Sequence, residues 1–215
     1  RKVCPEIPVL DVPMTIRIIF AATAAPTWSA DTVTIPIWSI PSRTPGRSSA
    51  PTVHVCSPPT TLKATTSPAL TSVVISDNVT TIGEGAFATC YSLASVEIGE
   101  GVTSIGLAAF AQCSALTSVV IPDSVKNVDS SAFAHCDSLT SVEIGDNITS
   151  IGVGVFTYCD QLVFTEHENG RYLGNESNPY VALITIASTS ESTYTIHEDT
   201  KVIAGNAFYR CGVMT

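Results

Sequence analysis

A short run of alternating character, Leu-x-x-Val-x-Ile, recurs along this chain at a fixed step of 23 residues. Its four copies begin at Leu70, Leu93, Leu116 and Leu139. Alternation of this kind predicts a short strand whose leucine, valine and isoleucine face a core. The side chains between them should face outward, and they are Ser72, Val74, Ser95, Glu97, Ser118, Val120, Ser141 and Glu143.

Each copy continues with a polar turn, a second extended piece ending in Ile-Gly, and an Ala-Phe-x-x-Cys segment. The last segment predicts one turn of helix, because positions three and four apart share a helical face. Glycine at 83, 106 and 152 predicts a bend with positive φ. The apolar columns expected in the core are Phe87, Phe110, Phe133, Phe156 and Phe208, with Cys90, Cys113, Cys136, Cys159 and Cys211.

A fixed period in this range is typical of a stacked solenoid, because one unit cannot bury its apolar surface alone. We predict a β-rich solenoid with one short helical turn per 23-residue repeat. The repeats cover 70–92, 93–115, 116–138, 139–161 and 162–213. The last one contains an insert at about 164–192, where two apolar runs flank the turn residues Asn175–Pro179 and predict an inserted β-hairpin. This hairpin should protrude from or extend one sheet.

Residues 1–66 differ from the solenoid at 67–215, since 11 of the 13 prolines fall within 1–69. Proline removes backbone donors and interrupts both helices and central strands. We therefore predict a poorly ordered N-terminal segment, in which the alternating runs at 32–35 and 52–55 are candidate edge strands. Spacing alone leaves open whether Cys4 and Cys56 pair. Because Met214 stands where the next leucine is due, we expect the chain to be part of a longer protein.

The repeat resembles the BspA-type, or Treponema pallidum-type, leucine-rich repeat. The residues behind the resemblance are Ile82-Gly83, Ala86-Phe87, Cys90 and Ile121-Pro122 with their counterparts in the other repeats, over about 70–215. The resemblance implies a leucine-rich-repeat solenoid in a cell-surface or secreted protein, often implicated in adhesion. It brings no shared catalytic residues with it.

The net charge of −9 argues against a nucleic-acid partner, because a phosphate backbone requires clustered lysine and arginine. No apolar run reaches the roughly 18 residues of a membrane span. Gly83–Ala88 matches a dinucleotide-binding pattern, but its glycine pair recurs with the repeat and lacks the strand–helix context of that motif. The four histidines are scattered. We therefore predict neither catalytic residues nor a cofactor.

Two columns of titratable residues remain. Stacked cysteines would lie about 4.8 Å apart, but their side chains point the same way, so we predict buried free thiols and no metal site. The position ten residues before each phenylalanine is acidic in every repeat. Such a row either recruits a cation or a basic partner, or only keeps the turns solvated. The row consists of Asp77, Glu100, Asp123, Asp146 and Glu198.

We interpret the chain as a non-catalytic module that binds a protein or glycan along its outward strand face. The alternative is a structural spacer that carries an enzymatic or anchoring domain located elsewhere. In the insert, Tyr172 and Tyr180 either form a binding tip or pack the hairpin onto the solenoid.

Overall fold

A computed structural model describes residues 15–19, 32–35, 52–56, 61–64, 70–190, 193–209 and 211, the first four ranges as backbone only. Whether Cys4 and Cys56 form a disulfide lies outside the part of the chain whose side chains are described. Most of these residues form a solenoid with two parallel sheets. The first, called here the long sheet, contains in spatial order β1 (Thr15–Ile19), β3 (Thr52–Cys56), β5 (Ser72–Ile75), β7 (Ser95–Ile98), β9 (Ser118–Ile121) and β11 (Ser141–Ile144).

The second sheet is built from shorter strands and lies on another side of the solenoid. Its order is β12 (Ser150–Ile151), β10 (Asn127–Val128), β8 (Ser104–Ile105), β6 (Thr81–Ile82), β4 (Thr61–Ala64) and β2 (Thr32–Ile35). From β5 onward the strands of both sheets pair with each residue opposite its counterpart one repeat later, as Ile75 is with Ile98 and Ile82 with Ile105, except that β7 and β9 are paired at Ser95 and Ser118 only. The predicted leucine-rich-repeat solenoid is confirmed.

The Ala-Phe-x-x-Cys segments form consecutive turns, not the turn of helix that the spacing predicts. Alternate N–H groups bond three residues back within the segment, as Ala86 does to Gly83. The N–H groups between them donate to the next coil, Phe87 to the carbonyl of Ala109 at 2.7 Å and Thr89 to that of Ala111 at 2.8 Å. A helix would direct all its N–H groups along its own axis. This third ladder, the turn ladder, joins the coils on the side that lacks a sheet.

The glycines after the second strand do not have the positive φ expected of them. Positive φ falls instead on Gly85 and Gly154, and at the equivalent of Gly85 in the next coil on Ala108, at 52°. A Cβ on Gly106 would lie 2.9 Å from the carbonyl oxygen of Ile82, and one on Gly152 would lie 2.4 Å from a backbone nitrogen of the preceding coil. Glycine is therefore needed there for close approach of the coils.

The core is one continuous file of apolar side chains. Phe87, Phe110, Phe133 and Phe156 are buried and stack at centroid distances of 5.1, 5.2 and 5.8 Å. Phe208 does not continue the file. It is half-buried, contacts Tyr194 edge-on, and packs in a second cluster with Tyr172, Leu183 and Ala207.

The insert explains this departure. Strands β14 (Gly170–Leu173) and β15 (Ala182–Ile186) form the predicted hairpin, and β13 (Thr165–His167) adds a third antiparallel strand that the sequence pattern did not indicate. The last strand, β16 (Val202–Ile203), pairs with β15 and not with β12. The last coil therefore rests on the insert as well as on β12, where the N–H of Gly205 donates to the carbonyl of Ile151 at 3.0 Å, and Phe208 packs with the insert and not on Phe156.

The insert also extends the long sheet, which is one of the two outcomes predicted for the hairpin. The N–H of Ile144, at the end of β11, donates to the carbonyl of Gly174 at 2.9 Å. At the other end of the chain, the run expected as an edge strand at 32–35 is the edge strand β2, whereas the one at 52–55 lies between β1 and β5. The division of the chain at 66/67 stays a prediction.

Candidate functional site

The outward face of the long sheet bears two rows of side chains. Strand pairing places the serines of successive coils side by side. Two residues further along, it sets Val74 opposite Glu97 and Val120 opposite Glu143, whereas β7 and β9 are paired at their serines only. In β7, β9 and β11 these side chains are exposed, whereas Ser72 and Val74 are half-buried. The serine row is Ser72, Ser95, Ser118 and Ser141, and the valine–glutamate row is Val74, Glu97, Val120 and Glu143.

The valine–glutamate row separates its charges. Glu97 and Glu143 lie two strands apart, about 10 Å at the usual strand spacing. Val120 stands between them with 55% of its surface exposed. A regular face with apolar and anionic positions in alternation is therefore open to a partner.

The acidic row has a structural role in three of its five members. The Asp77 carboxylate accepts the N–H of Glu100 at 2.8 Å, and that of Asp123 accepts the N–H of Asp146 at 2.7 Å. Each thereby joins its own coil to the next. Asp146 accepts hydrogen bonds from Asn175 at 3.1 Å and pairs with Lys201 at 3.2 Å, and these two contacts, in that order, lower the pKa of its carboxyl group.

Close approach to these aspartates and to the backbone beside them accounts for glycine in every second coil: a Cβ on Gly99 would lie 2.6 Å from the carbonyl oxygen of Ile75, and one on Gly145 would lie 2.6 Å from the nitrogen of Asp123. A Cβ on Gly99 would lie 2.7 Å from Oδ1 of Asp77, and one on Gly145 would lie 2.7 Å from Oδ1 of Asp123. Coils whose aspartate bonds to the next coil thus alternate with coils in which a glycine faces that aspartate. Glu198, also in the row, is exposed.

The cysteine column consists of free thiols, as predicted. Cys90, Cys113, Cys136 and Cys159 are buried, and Cys211 is half-buried. The Cys113 thiol donates to the carbonyl of Phe87 at 3.3 Å, and the thiols of the next two coils repeat this contact at 3.4 and 3.1 Å. Burial, followed by the neighbouring Cys90, raises the pKa of Cys113 from 9.0 to about 12. A hydrogen bond with Cys159, together with burial, raises the pKa of Cys136. A hydrogen bond with Cys136 lowers the pKa of Cys159, so we expect low thiol reactivity only of Cys113 and Cys136, whose pKa values are raised.

The insert tyrosines pack the hairpin. Tyr172 is fully buried, its hydroxyl accepts the N–H of His197 at 3.2 Å, and its ring meets Tyr180 edge-on. The prediction that Tyr172 binds a partner is wrong, because its ring fills the space between the insert and the last coil. Tyr180 is half-buried and stacks on His197 at 3.7 Å. Within the described ranges, no three histidine, cysteine or acidic side chains are grouped to hold a metal ion.

An open groove of about 540 Å³ lies at the carboxyl ends of β9 and β11, beside the insert turn. The sequence did not indicate it, because one wall comes from the insert, whose Asn175 lies 31 positions after Ile144 and 54 after Ile121. Its only signal was the run of turn residues beginning at Asn175, whose side chain caps Ser177 and Asn178 and also donates to the carbonyl of Ile144. We call it the acidic groove; it is lined by Val120, Ile121, Pro122, Asp123, Glu143, Ile144, Gly145, Asp146, Asn175, Glu176 and Ser177.

The repeat geometry agrees with a match to a known family. The model of the BspA type leucine rich repeat region matches residues 64–178 with six copies, just over half of the 215 residues. The chain belongs to the BspA-type leucine-rich repeat family. A search of curated proteins gave no match. In the described part of this BspA-type chain, no helix has the length and apolar character needed to cross a membrane.

Solved structures with a similar fold come from several bacteria. The leucine-rich repeat protein of T. pallidum is 24% identical over 84% of this chain and 76% of its own, with a TM-score of 0.43. One from Bacteroides ovatus is 22% identical over 74% and 52%, with a TM-score of 0.42. A leucine rich cell surface protein of Faecalibacterium prausnitzii is 23% identical over 65% and 58%, with a TM-score of 0.34. This chain spans little more than half the length of the last two. Its place among the BspA-type proteins rests on the repeat match.

Proposed function

We propose that this chain is a non-catalytic binding module of a cell-surface or secreted protein, and that it recognises a protein or glycan along the outward face of the long sheet. The observation behind the proposal is the regular exposure of the serine and valine–glutamate rows on β7, β9 and β11. Exposed Val120 offers apolar contact, and Glu97 and Glu143 offer charge; Glu143 pairs with Val120 between β11 and β9, and β7 joins β9 at Ser95 and Ser118.

A rigid surface is suited to recognition, because little side-chain and backbone ordering opposes binding. The backbone of the face is fixed by sheet hydrogen bonds and by a core in which every phenylalanine of the file is buried. One structural neighbour is described as a cell surface protein, which agrees with this location.

Binding of wild-type protein to an array of purified extracellular proteins and immobilised glycans tests the proposal. The informative variant is Glu97→Gln with Glu143→Gln, which removes two charges from the face and keeps side-chain size. The matched control is Glu84→Gln with Asp160→Asn, two exposed carboxylates in turns on another side of the solenoid. Array members bound by the wild type should bind the control equally well and the face variant at least several-fold more weakly.

A different outcome favours the alternative of a structural spacer. A spacer would bind no array member specifically, or would lose binding equally in both variants. Circular dichroism melting of each variant confirms that the proteins compared are folded.

A further inference from the structure

The acidic groove continues the valine–glutamate row and has an apolar floor with an anionic rim. Val120, Ile121 and Pro122 contribute the floor at the end of β9. Asp123, in the turn after β9, and Glu176, in the turn of the insert, are exposed and form the rim. Long cationic side chains favour such a combination, because their methylene stems lie on apolar surface while the charged head stays in water.

The groove has little positive charge of its own to neutralise this rim. Among residues 70–190 and 193–209, only Lys126, Arg171 and Lys201 have a fixed positive charge. Arg171 pairs with Glu166 at 3.3 Å, away from the groove. The ammonium group of Lys201 pairs with the carboxylate of Asp146, so the two charges neutralise each other. The carboxylates of Glu143, Asp123 and Glu176 therefore present net negative charge to an incoming partner.

We propose that the acidic groove, with Glu97 as a second contact point, binds a basic segment of a partner protein in the polyproline II conformation. The proposal rests on the binding function proposed above and specifies its ligand. A lysine or arginine enters the groove beside Glu143, and a second cation reaches Glu97 across the exposed side chain of Val120.

The spacing of the two glutamates selects the conformation of the segment. They lie two strands apart, about 9.6 Å. In polyproline II every third residue points the same way at an interval of about 9.3 Å. In an extended strand, residues on the same face lie about 6.8 Å apart. This spacing matches neither the distance between adjacent coils nor the distance between coils two apart.

Fluorescence anisotropy with synthetic peptides tests the proposal on the full chain. The probe is a labelled peptide of repeated Lys-Pro-Pro triplets. Its control has the same length and composition, with lysine at every second position followed by the remaining prolines. The triplet peptide should bind more tightly than its control. Raising the salt from about 0.01 M to about 0.15 M should weaken it markedly, because the Debye length falls from about 30 Å to about 8 Å.

Substitutions then locate the site. Glu143→Gln and Glu97→Gln should each weaken binding of the triplet peptide about three- to fivefold, as expected for one exposed ion pair. The double variant Glu84→Gln/Asp160→Asn should leave it unchanged. Absence of binding at low salt, equal binding of the two peptides, or equal loss in the control variant would each overturn the proposal. If array ligands still depended on Glu97 and Glu143 in that case, the general binding function would stand and only the basic ligand would be wrong.

Discussion

Replacing Phe110 by alanine probes the central file of rings. Phe110 is 0% exposed and lies between two parallel neighbours, Phe87 at 5.1 Å and Phe133 at 5.2 Å. A buried Phe→Ala change costs about 3–5 kcal/mol through lost transfer energy and the cavity left behind. Aromatic pairs contribute about 0.5–1.5 kcal/mol each beyond burial. With two such pairs lost, we expect a value near the upper end, about 4–5 kcal/mol.

The matched control is the same substitution at the end of the file. Phe156 is 8% exposed and stacks on Phe133 alone, at 5.8 Å. Phe156→Ala should therefore cost less, about 3 kcal/mol. Urea unfolding followed by far-ultraviolet circular dichroism measures both. Because solenoid stability is a sum over neighbouring repeats, the Phe110 variant should also unfold less cooperatively.

A single packed file of rings requires Phe110→Ala to cost more unfolding free energy than Phe156→Ala. A cost for Phe110→Ala below that of Phe156→Ala, or below about 1.5 kcal/mol, would mean that the rings do not form one packed core.

Three further substitutions and treatments test the remaining contacts. The Cys113 thiol, with its pKa raised to about 12, should react with a disulfide-based thiol reagent only after unfolding, as read by peptide mass spectrometry; rapid labelling of the native protein would contradict this. Gly101→Ala should destabilise the fold severely, because its Cβ would lie 1.7 Å from the carbonyl oxygen of Asp77. Gly85→Ala should cost only about 1–2 kcal/mol, the usual cost of the left-handed conformation for a residue with a Cβ, since the φ of Gly85 is +59°, its Cβ has 3.9 Å of space and alanine already stands at this position in the next coil. Because the pKa of Asp146 is lowered by the fold, its contribution to stability is present above its unfolded pKa and is lost as the pH falls through the folded one. Melting temperature measured against pH should therefore fall less steeply below about pH 4 in Asp146→Asn than in the wild type.

The repeating parts of this fold were predictable because each coil gives its residues the same surroundings as the coil before. The strand face, the phenylalanine file and the buried thiols all follow from columns that share one phase, such as Cys113 and Cys136. Alternation of apolar and polar residues also gave the outward side chains of β7, β9 and β11 correctly.

The turn ladder was not predictable from the same columns. Apolar residues three apart fit one turn of helix and two consecutive turns equally well. What separates them is positive φ at Ala108, Ser131 and His135, among other non-glycine residues. Such conformations are unfavourable locally. They are maintained by hydrogen bonds to the next coil, which a local pattern does not reveal.

The docking of the insert was the least predictable part of the fold. The hairpin itself follows from turn residues between apolar runs, but the side it docks on depends on tertiary packing. That docking buries Tyr172, displaces Phe208 from the file and brings Asn175 to Asp146. The acidic groove exists only because of these contacts, so its wall at Glu176 had no signature in the repeat.

The turn ladder, together with the two sheets, has a mechanical consequence. All three ladders run between successive coils, so a force applied along the solenoid axis pulls on the bonds of one coil boundary at a time. The coils of residues 70–161 should then detach singly, each releasing 23 residues of chain, or about 80 Å when fully extended. A protein stretched between two surfaces in this way would lengthen in uniform steps and not fail all at once.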